Sequence, residues 1–412
     1  MTTKTPVYCD YNAGAPIRAE AAVALSRTLA AGGNPSSVHG VGRRMRAMIE
    51  DARERIAAAV DARAENVVFT SGATEALHLV LDAFDAAARA KLPVVDEDGD
   101  VVETPPPALI VSATEHDAVF EHSRHRAMLR APVMQDGVID LDVLEAMVSE
   151  APKPALVAVQ LANNETGVIQ PVAHVAALCR EHGALLLVDA AQAFGRIPVS
   201  VADLDAGYLV VSSHKLGGPP GAGALVLAPG APFATTRFGG GQERGRRPGT
   251  ENGAALVGFA TAAEWALRDM DAEAARVAAL RDRFEAGLPE DAVVFGRTAG
   301  FQPATVGAGR WEAGGPLGRL PNTSNFALPG LNAETAVIAM DLEGVAVSSG
   351  AACSSGKVRT SRVLAAMGVA PELAKGALRV SFGHESKETD VNEALQALAK
   401  IAARRAVKEV AA

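Results

Sequence analysis

A lysine stands in a loop between two strand-like apolar runs. Residues 209–211 and 224–227 are apolar, and Lys215 lies between them in a segment rich in Gly and Pro, beside two serines and His214. Lysine usually keeps its amine in water, so a surface position is the ordinary expectation. A lysine held in a partly apolar site has a lowered pKa and is the standard nucleophile for a Schiff base.

An aspartate and a phosphate-binding pattern give that lysine a context. Asp189 ends the apolar run 184–189, where a carboxylate needs a cationic partner or several donors. A protonated pyridine nitrogen is such a partner, and a lysine Schiff base together with this aspartate is typical of pyridoxal phosphate (PLP). Residues 71–74 precede a helix, whose N-terminus favours anions, and Ser212 and His214 add donors beside the lysine. The residues therefore predict a PLP site.

Alternating helices and short apolar strands would position these groups. The spacing of apolar residues predicts helices at 17–31, 38–60 and 171–183, another that ends near 89, and strands at 67–70, 108–112, 156–161, 184–189, 208–212 and 224–228. This pattern favours a parallel sheet covered on both faces, with ligands beyond the carboxyl ends of its strands. Those ends carry Thr74, His116, Asn164, Asp189 and residues 212–215.

The second part of the chain predicts a smaller α+β unit. One long helical stretch runs from residue 253 to about 288, and strands and helices alternate again after it. We predict them at 324–328, 333–342, 345–347, 361–367 and 377–382, with a terminal helix. Residues 96–107 and 298–321 are interpreted as loops or insertions because they are rich in acidic residues, Pro or Gly.

Bulk composition excludes several classes of function. The 412 residues are 49% hydrophobic and 21% charged, which is ordinary for a globular protein. A net charge of −9 disfavours nucleic acid or an anionic membrane as a partner. No apolar run approaches ~18 residues, so no membrane span is expected. The first residues show no apolar signal core or Arg-rich leader, so a cytoplasmic location is expected.

Several motif-like segments are better explained without a ligand. Residues 350–357 resemble a phosphate-binding loop, but the glycine spacing is too long and Val358 replaces the hydroxyl that would bind magnesium. Residues 96–100 resemble a calcium loop with its glycine too early, so a turn is predicted. His122 and His125 share a helix face with no further ligands nearby, so we interpret that face as solvated rather than as a metal site.

Taken together, ordered motifs along nearly the whole chain resemble the class V aminotransferase-like PLP enzymes of fold type I, and within them the cysteine desulfurases. The motifs are YCDYNAGAP (8–16), GNPSSVH (33–39), SGATE (71–75), TEHDAV (114–119), NNETG (163–167), VDAAQ (188–192), SSHK (212–215), GGGQERGRRPGT (239–250), SSGAACSSG (348–356) and LRVSFG (378–383). The segment around Cys353 is similar to the iron–sulfur and nitrogen-fixation type of desulfurase. Gly14 and Ala15 stand where this family more often has two threonines.

The resemblance implies an architecture and a set of site residues. It implies a large PLP-binding domain at 15–260 on a mostly parallel seven-stranded sheet, and a smaller α+β domain at 1–14 and 261–412. Lys215 would bind PLP and move the substrate's α-proton, His116 would stack on the ring, Asp189 would pair with the pyridine nitrogen and Gln192 would bond the phenolic oxygen. The residues implied for the phosphate are Ala73, Thr74, Ser212, His214 and, from a partner subunit, Thr250. Asn164 is implied to contact both the cofactor and the substrate, and Arg379 and Asn34 are implied for the substrate.

Cys353 is the implied acceptor of sulfur. It lies among Ser and Gly in a stretch that cannot pack a core, so an exposed mobile loop is expected. Cys9 and Cys179 lie in apolar patterns and are predicted to be buried thiols. The resemblance implies that Cys353 takes sulfur from L-cysteine as a persulfide, releases alanine, and passes sulfur to an iron–sulfur scaffold or another acceptor protein. No resident metal is expected, although Cys353 could ligate an iron–sulfur cluster during transfer.

Three alternatives remain open on the sequence alone. A PLP aminotransferase or lyase would share Lys215 and Asp189 but would have no use for a mobile Cys353. A selenocysteine lyase would share nearly every residue, because substrate preference is not encoded in these motifs. A non-enzymatic PLP-fold protein would be expected to lack Lys215, His116 or Cys353, and all three are present. A homodimer is implied only by the role given to Thr250.

Overall fold

The fold is described from a computed structural model of the chain. It describes residues 6–90, 94–95, 101–102, 107–124, 126–297, 318–350 and 360–410. The expected mobile loop around Cys353, and most of the interpreted insertions at 96–107 and 298–321, lie outside these residues.

The first part of the chain contains the predicted helices and strands together with several further elements that were not predicted. Its elements are β1 (Val7–Tyr8), α1 (Ala19–Ala31), α2 (Gly40–Ala58), β2 (Val67–Thr70), α3 (Ala73–Ala90), β3 (Val94–Val95), β4 (Val101–Val102), β5 (Ala108–Ser112), α4 (Asp117–Phe120), β6 (Leu129–Ala131), α5 (Leu141–Glu150), β7 (Ala155–Gln160), α6 (Val172–Glu181), β8 (Leu185–Asp189), β9 (Tyr208–Ser212) and β10 (Gly223–Leu227). Predicted strand bounds agree with these to within one residue.

Seven of these strands form one central sheet. Their order is β2-β10-β9-β8-β7-β5-β6, and β10 alone runs antiparallel to its neighbours. Alternate residues of β7 enter two different cores: Val157 and Val159 pack with α2, α6 and α7, whereas Leu156 and Ala158 pack with α3. The sheet is therefore covered on both faces, and the predicted mostly parallel α/β fold is confirmed.

The second part of the chain builds a separate small sheet. Its elements are α7 (Gly253–Arg268), α8 (Met270–Ala286), β11 (Val293–Phe295), β12 (Thr323–Ala327), α9 (Ala333–Leu342), β13 (Val345–Ala346), β14 (Ser348–Ser349), α10 (Arg362–Ala366), α11 (Pro371–Ala374), β15 (Ala377–Ser381) and α12 (Glu388–Val410). The predicted single long helix is two helices, α7 and α8, separated at Asp269, whose φ of −121° and ψ of 27° leave the helical range.

The N-terminal strand packs with this second part rather than with the central sheet. β1 pairs in parallel with β13, and Cys9 joins a core with Phe284, Phe326 and Val380. The antiparallel sheet beside it has the order β11-β12-β15-β14. This arrangement agrees with grouping residues 1–14 with the C-terminal part, while the exact domain boundaries stay a prediction.

Two predictions about individual side chains have different outcomes. Cys9 and Cys179 are buried, as predicted, and burial raises the pKa of each thiol to about 12. The prediction of a solvated face was wrong for His122, which is 6% exposed and lies 3.7 Å from the Asp82 carboxylate. Within the described ranges no cluster of three metal-ligating side chains occurs, and no helix has the length and apolarity to cross a membrane.

Candidate active site

The carboxyl ends of the parallel strands converge on one edge of the central sheet. In the ladders Gln160 pairs with Asp189, and Asp189 pairs with Val210, so the ends of β7, β8 and β9 are adjacent. Lys215 follows β9 in a short 3-10 turn, and His116 follows β5. The topology thus brings the predicted lysine, aspartate and histidine to the same edge.

Asp189 is a buried carboxylate whose negative charge a cation would stabilise. It is 8% exposed, and its Oδ1 accepts a hydrogen bond from Ala191 N at 2.9 Å. Burial raises its pKa, while that hydrogen bond and the charges of His116 and Lys215 act in the opposite direction. A protonated ring nitrogen would supply the compensating charge that this position requires.

His116 is held as a neutral imidazole above this edge. It is the N-cap of α4, and its Nδ1 accepts a hydrogen bond from Ala118 N at 3.1 Å. An accepting Nδ1 places the ring proton on Nε2. Burial lowers the pKa of His116, with Asp189 acting to raise it and Lys215 to lower it. A neutral imidazole suits both ring stacking and acid/base steps.

The Lys215 amine is directed toward the N-terminal segment. Its Nζ donates to the carbonyl oxygens of Asn12 at 2.6 Å and Ala13 at 3.0 Å. Asn12 is itself buried, and its side chain bonds Asn164 O, Thr323 Oγ1 and Asn322. The carbonyl that receives the lysine is therefore fixed from both parts of the chain.

The predicted phosphate site has the properties that an anion needs. α3 begins at Ala73, and a Cβ at position 223 would lie 2.7 Å from the Gly72 Cα, so Gly223 allows β10 to approach this helix N-terminus closely. Ser212 lies opposite Gly223, and its buried Oγ has no hydrogen-bond partner among the described residues. Burial, followed by the charges of Lys215 and Arg196, lowers the pKa of His214 to about 4.

The residues at this edge of the sheet fit a bound PLP. The orphaned Ser212 hydroxyl and the N-terminus of α3 would bind a phosphate, and Asp189 would bind a protonated pyridine. Lys215 is within electrostatic reach of both Asp189 and His116. Ala73, Thr74, Ser212 and His214 would hold the phosphate end of the cofactor, while Asp189 and His116 would hold the ring.

The predicted substrate residues have mixed positions. Arg379, on β15, is 1% exposed and donates to Asp10 Oδ1 at 2.7 Å and to Asn164 O at 3.0 Å. Its buried Nε has no partner within the described part of the chain. Asn34 is exposed, and its side-chain oxygen accepts from Ser36 N at 2.9 Å. Thr250 is also exposed. The binding roles of all these residues stay predictions.

Sequence reasoning gave no role to three residues of this edge. Asn12 and Arg196 bond Gln192 and Lys215 directly, and Glu115 is a buried carboxyl next to His116. Burial and the charge of Asp189 raise the pKa of Glu115 to about 8. The only signal in the sequence is their position inside the motifs 8–16, 114–119 and just after 188–192.

Comparison with known proteins identifies the family of this chain. The family model for class-V aminotransferases matches residues 7–294, and the chain belongs to that family. A cysteine desulfurase IscS of Dictyoglomus turgidum is 35% identical over 97% of this chain and 95% of its own. An IscS-like cysteine desulfurase of Mycobacterium tuberculosis is also 35% identical, over 96% of each chain.

Solved structures extend the similarity to the whole fold. The NifS-like protein from Rickettsia africae superposes with a TM-score of 0.82 at 27% identity, covering 96% of this chain and 99% of that one. A second NifS-like protein gives a TM-score of 0.81 at 29% identity, covering 97% of this chain and 100% of the other. Enzymes of this family depend on PLP, in agreement with the fit described above.

Proposed function

We propose that this protein is a PLP-dependent cysteine desulfurase, which converts L-cysteine to L-alanine and leaves a persulfide on Cys353. The observation that carries the proposal is the meeting of Lys215, Asp189 and His116 at one sheet edge, in a chain aligned almost end to end with relatives named cysteine desulfurases. The persulfide on Cys353 rests on the sequence motif.

Each residue at the edge has a proposed task. PLP, when bound, supplies an electron sink for the bond electrons at the substrate's α-carbon. The Lys215 amine would remove and return the α-proton, and Asp189 would keep the proton on the ring nitrogen. Arg379, with Asn164 and Asn34, would orient the substrate carboxylate, for which an arginine fork is suited. His116, neutral in this environment, would exchange a proton with the substrate thiol.

The sulfur transfer balances without an external oxidant. The Cys353 thiolate attacks the sulfur of the substrate, forming an S–S bond while the carbon–sulfur bond breaks. The bond electrons stay with carbon, which takes a proton and leaves as the methyl group of alanine. Cys353 then carries a persulfide. A persulfide is more acidic than a thiol and can pass its outer sulfur to a scaffold or carrier protein.

We further propose a cytoplasmic homodimer in which Thr250 completes the phosphate site of the partner subunit. The exposure of Thr250, on a segment held at Arg247 by the Glu75 carboxylate, supports this proposal. The test mixes the Lys215→Ala and Thr250→Ala variants and lets their subunits exchange, so that heterodimers form. Heterodimers contain one site with both residues, so activity should exceed that of either parent; no gain on mixing contradicts the shared site.

The main test is a turnover assay of the PLP-loaded protein with L-cysteine. Alanine and sulfide should form in equal amounts when a reductant is present, and mass spectrometry should place the extra sulfur on Cys353. Cys353→Ser should keep the cofactor and lose the persulfide, whereas Cys179→Ser is the matched control and should keep both. Bound PLP without alanine would favour an aminotransferase or lyase, and faster turnover of L-selenocysteine would favour a selenocysteine lyase.

A further inference from the structure

Arg196 is a mostly buried cation whose partners are all neutral. Burial, and then the charge of Arg379, lower its pKa to about 9. Across the described ranges no carboxylate forms an ion pair with it. Its guanidinium instead donates to oxygens of three segments: Gln192, Tyr11 and Lys215. A partly buried charge with neutral partners is costly, so its position beside a cofactor site calls for a physical reason.

One half of the guanidinium fixes the side-chain amide of Gln192. Nη1 donates to Gln192 O at 3.0 Å and to Gln192 Oε1 at 2.5 Å. Because guanidinium has donors only, the amide must turn its oxygen toward Arg196 and its nitrogen away. Gln192 Nε2 gives one hydrogen to Asn12 O at 2.9 Å, which leaves the second for another acceptor.

The other half of the guanidinium holds the main chain on both sides of the Lys215 amine. Nη2 donates at 3.1 Å to Lys215 O and at 3.1 Å to Tyr11 O. The next residue after Tyr11 is Asn12, whose carbonyl accepts from Lys215 Nζ. One planar group therefore fixes the backbone that carries the amine and the backbone that receives it.

We propose that Arg196 is a positioning residue for the cofactor reaction. It orients Gln192 as a hydrogen-bond donor toward the phenolic oxygen of PLP, and it keeps the Lys215 amine within reach of the ring when the amine is released. This inference rests on the proposed function, since it concerns the residues that would bind PLP. Arg196 itself acts through Gln192 and Lys215.

Other charges act on the same amine and must be held constant in a test. Asp189, His116 and His214 interact electrostatically with Lys215, and Arg379 on β15 interacts with Arg196. Lys215 and Arg196 also line one cavity with Arg18, Glu273 and His384. All of these are retained in the variants below.

The test is a pH titration of the visible absorption band of the PLP-loaded protein. A donor on the phenolic oxygen and a nearby positive charge both favour the deprotonated form of the lysine-linked cofactor. Arg196→Met should therefore raise the midpoint of the titration by roughly one pH unit. Arg281→Met removes a buried arginine that donates to Leu320 O at 3.0 Å, and it should leave the midpoint unchanged.

Two further variants separate orientation from charge. Arg196→Lys keeps the charge but lacks the planar fork, so most of the shift should remain. The Arg196→Met shift should shrink in a Gln192→Ala background. A wild-type midpoint in Arg196→Lys, or an equal shift with and without Gln192, overturns the inference. A wild-type protein with no visible band would instead overturn the proposed PLP function. If Arg196→Met fails to fold, the midpoint of Arg196→Lys tests the inference in its place.

Discussion

Two arginines of this protein, the buried Arg53 and the partly buried Arg196, are paired in different ways. Arg53 on α2 is 4% exposed and forms a bidentate pair with Glu243, at 2.6 and 2.8 Å. Glu243 also accepts from Phe69 N at 2.8 Å, which ties the pair to β2. Arg196 lies beside Lys215 and bonds carbonyl and amide oxygens. The charge of Arg53 is neutralised by Glu243, whereas Arg196 donates only to neutral oxygens among the described residues.

The difference separates a structural anchor from a binding site. The Arg53–Glu243 pair holds a segment in which Glu243 and Arg244 have φ of 48° and 56°, a left-handed conformation that non-glycine residues rarely adopt. Its internal charges balance, so nothing further is needed there. At the sheet edge Arg196 donates to neutral oxygens and Lys215 interacts with the buried Asp189, so positive charge remains for an anionic cofactor.

The largest effect is expected at the lysine. Lys215→Ala removes the proposed proton-transfer group, so turnover should fall by about 10²–10⁴-fold or more, and the covalent link to PLP should be lost. Alanine production and borohydride trapping of the cofactor measure these effects. Lys375→Ala, at an exposed pair with Glu372, is the matched control and should keep full activity. Retained turnover in Lys215→Ala contradicts its assigned role.

The second prediction compares the two arginines by stability. Arg53→Met leaves the buried Glu243 carboxylate without its bidentate partner and should lower the free energy of unfolding by about 3–5 kcal/mol. Arg196→Met leaves neutral oxygens unpaired and should cost only about 1–3 kcal/mol. Urea unfolding of both PLP-loaded variants gives the order. If Arg196→Met proves the more destabilising change, the distinction between anchor and site fails.

The third prediction concerns pH. Burial is the largest cause that lowers the pKa of His214 and His384 to about 4 each. An unfolded histidine titrates near 6.5, so the unfolded chain binds protons first and stability should fall as the pH drops from about 6.5 to about 4. The loss is at most about 1.4 kcal/mol per pH unit for each histidine.

Urea midpoints between pH 7 and pH 5 measure this loss. His384→Asn removes one contributor to which no cofactor contact is assigned, so its midpoint should decline less with acid than that of the wild type. An identical decline would mean that His384 is protonated equally in the folded and unfolded chains.

The smallest effect is expected at an exposed ion pair. Arg63 and Glu65 approach to 3.3 Å with side chains 77% and 61% exposed. Water screens such pairs, so Arg63→Ala should change the free energy of unfolding by less than about 0.5 kcal/mol. Urea unfolding of this variant gives the baseline for the Arg53→Met and Arg196→Met variants. If Arg63→Ala lowers the free energy of unfolding as much as Arg196→Met does, the contrast between the exposed pair and Arg196 is lost.

Periodicity predicted the elements of the fold better than their arrangement. Six strands of the central sheet are short, mostly apolar runs that the sequence marks, whereas β6, with Arg130 at its centre, was not predicted. The antiparallel direction of β10 has no such local signal. The break between α7 and α8 at Asp269 has no local signal either, because the stretch from 259 to 286 contains no glycine or proline. His122 was misplaced because spacing does not tell which face of a helix meets α3.

The site was predictable where a charged residue stands at or just after the end of an apolar strand. Lys215 and Asp189 stand out because charged residues at the ends of apolar strands need a reason. Asn12 and Arg196 give no such signal, since they act on backbone carbonyls and on residues far along the chain, such as the Asn12–Gln192 bond across 180 positions. Main-chain acceptors are the same at every residue, so side-chain identity does not encode these contacts.

The pairing of β1 with β13 has a consequence for how the protein is made. Val7 and Tyr8 pair with Val345 and Ala346, so the strand that precedes Asn12 has no sheet partner until most of the chain has left the ribosome. Contacts that close so long a loop form late in folding. We therefore expect the acceptor of the Lys215 amine to be assembled late, after a nascent chain has already formed the strands of the central sheet.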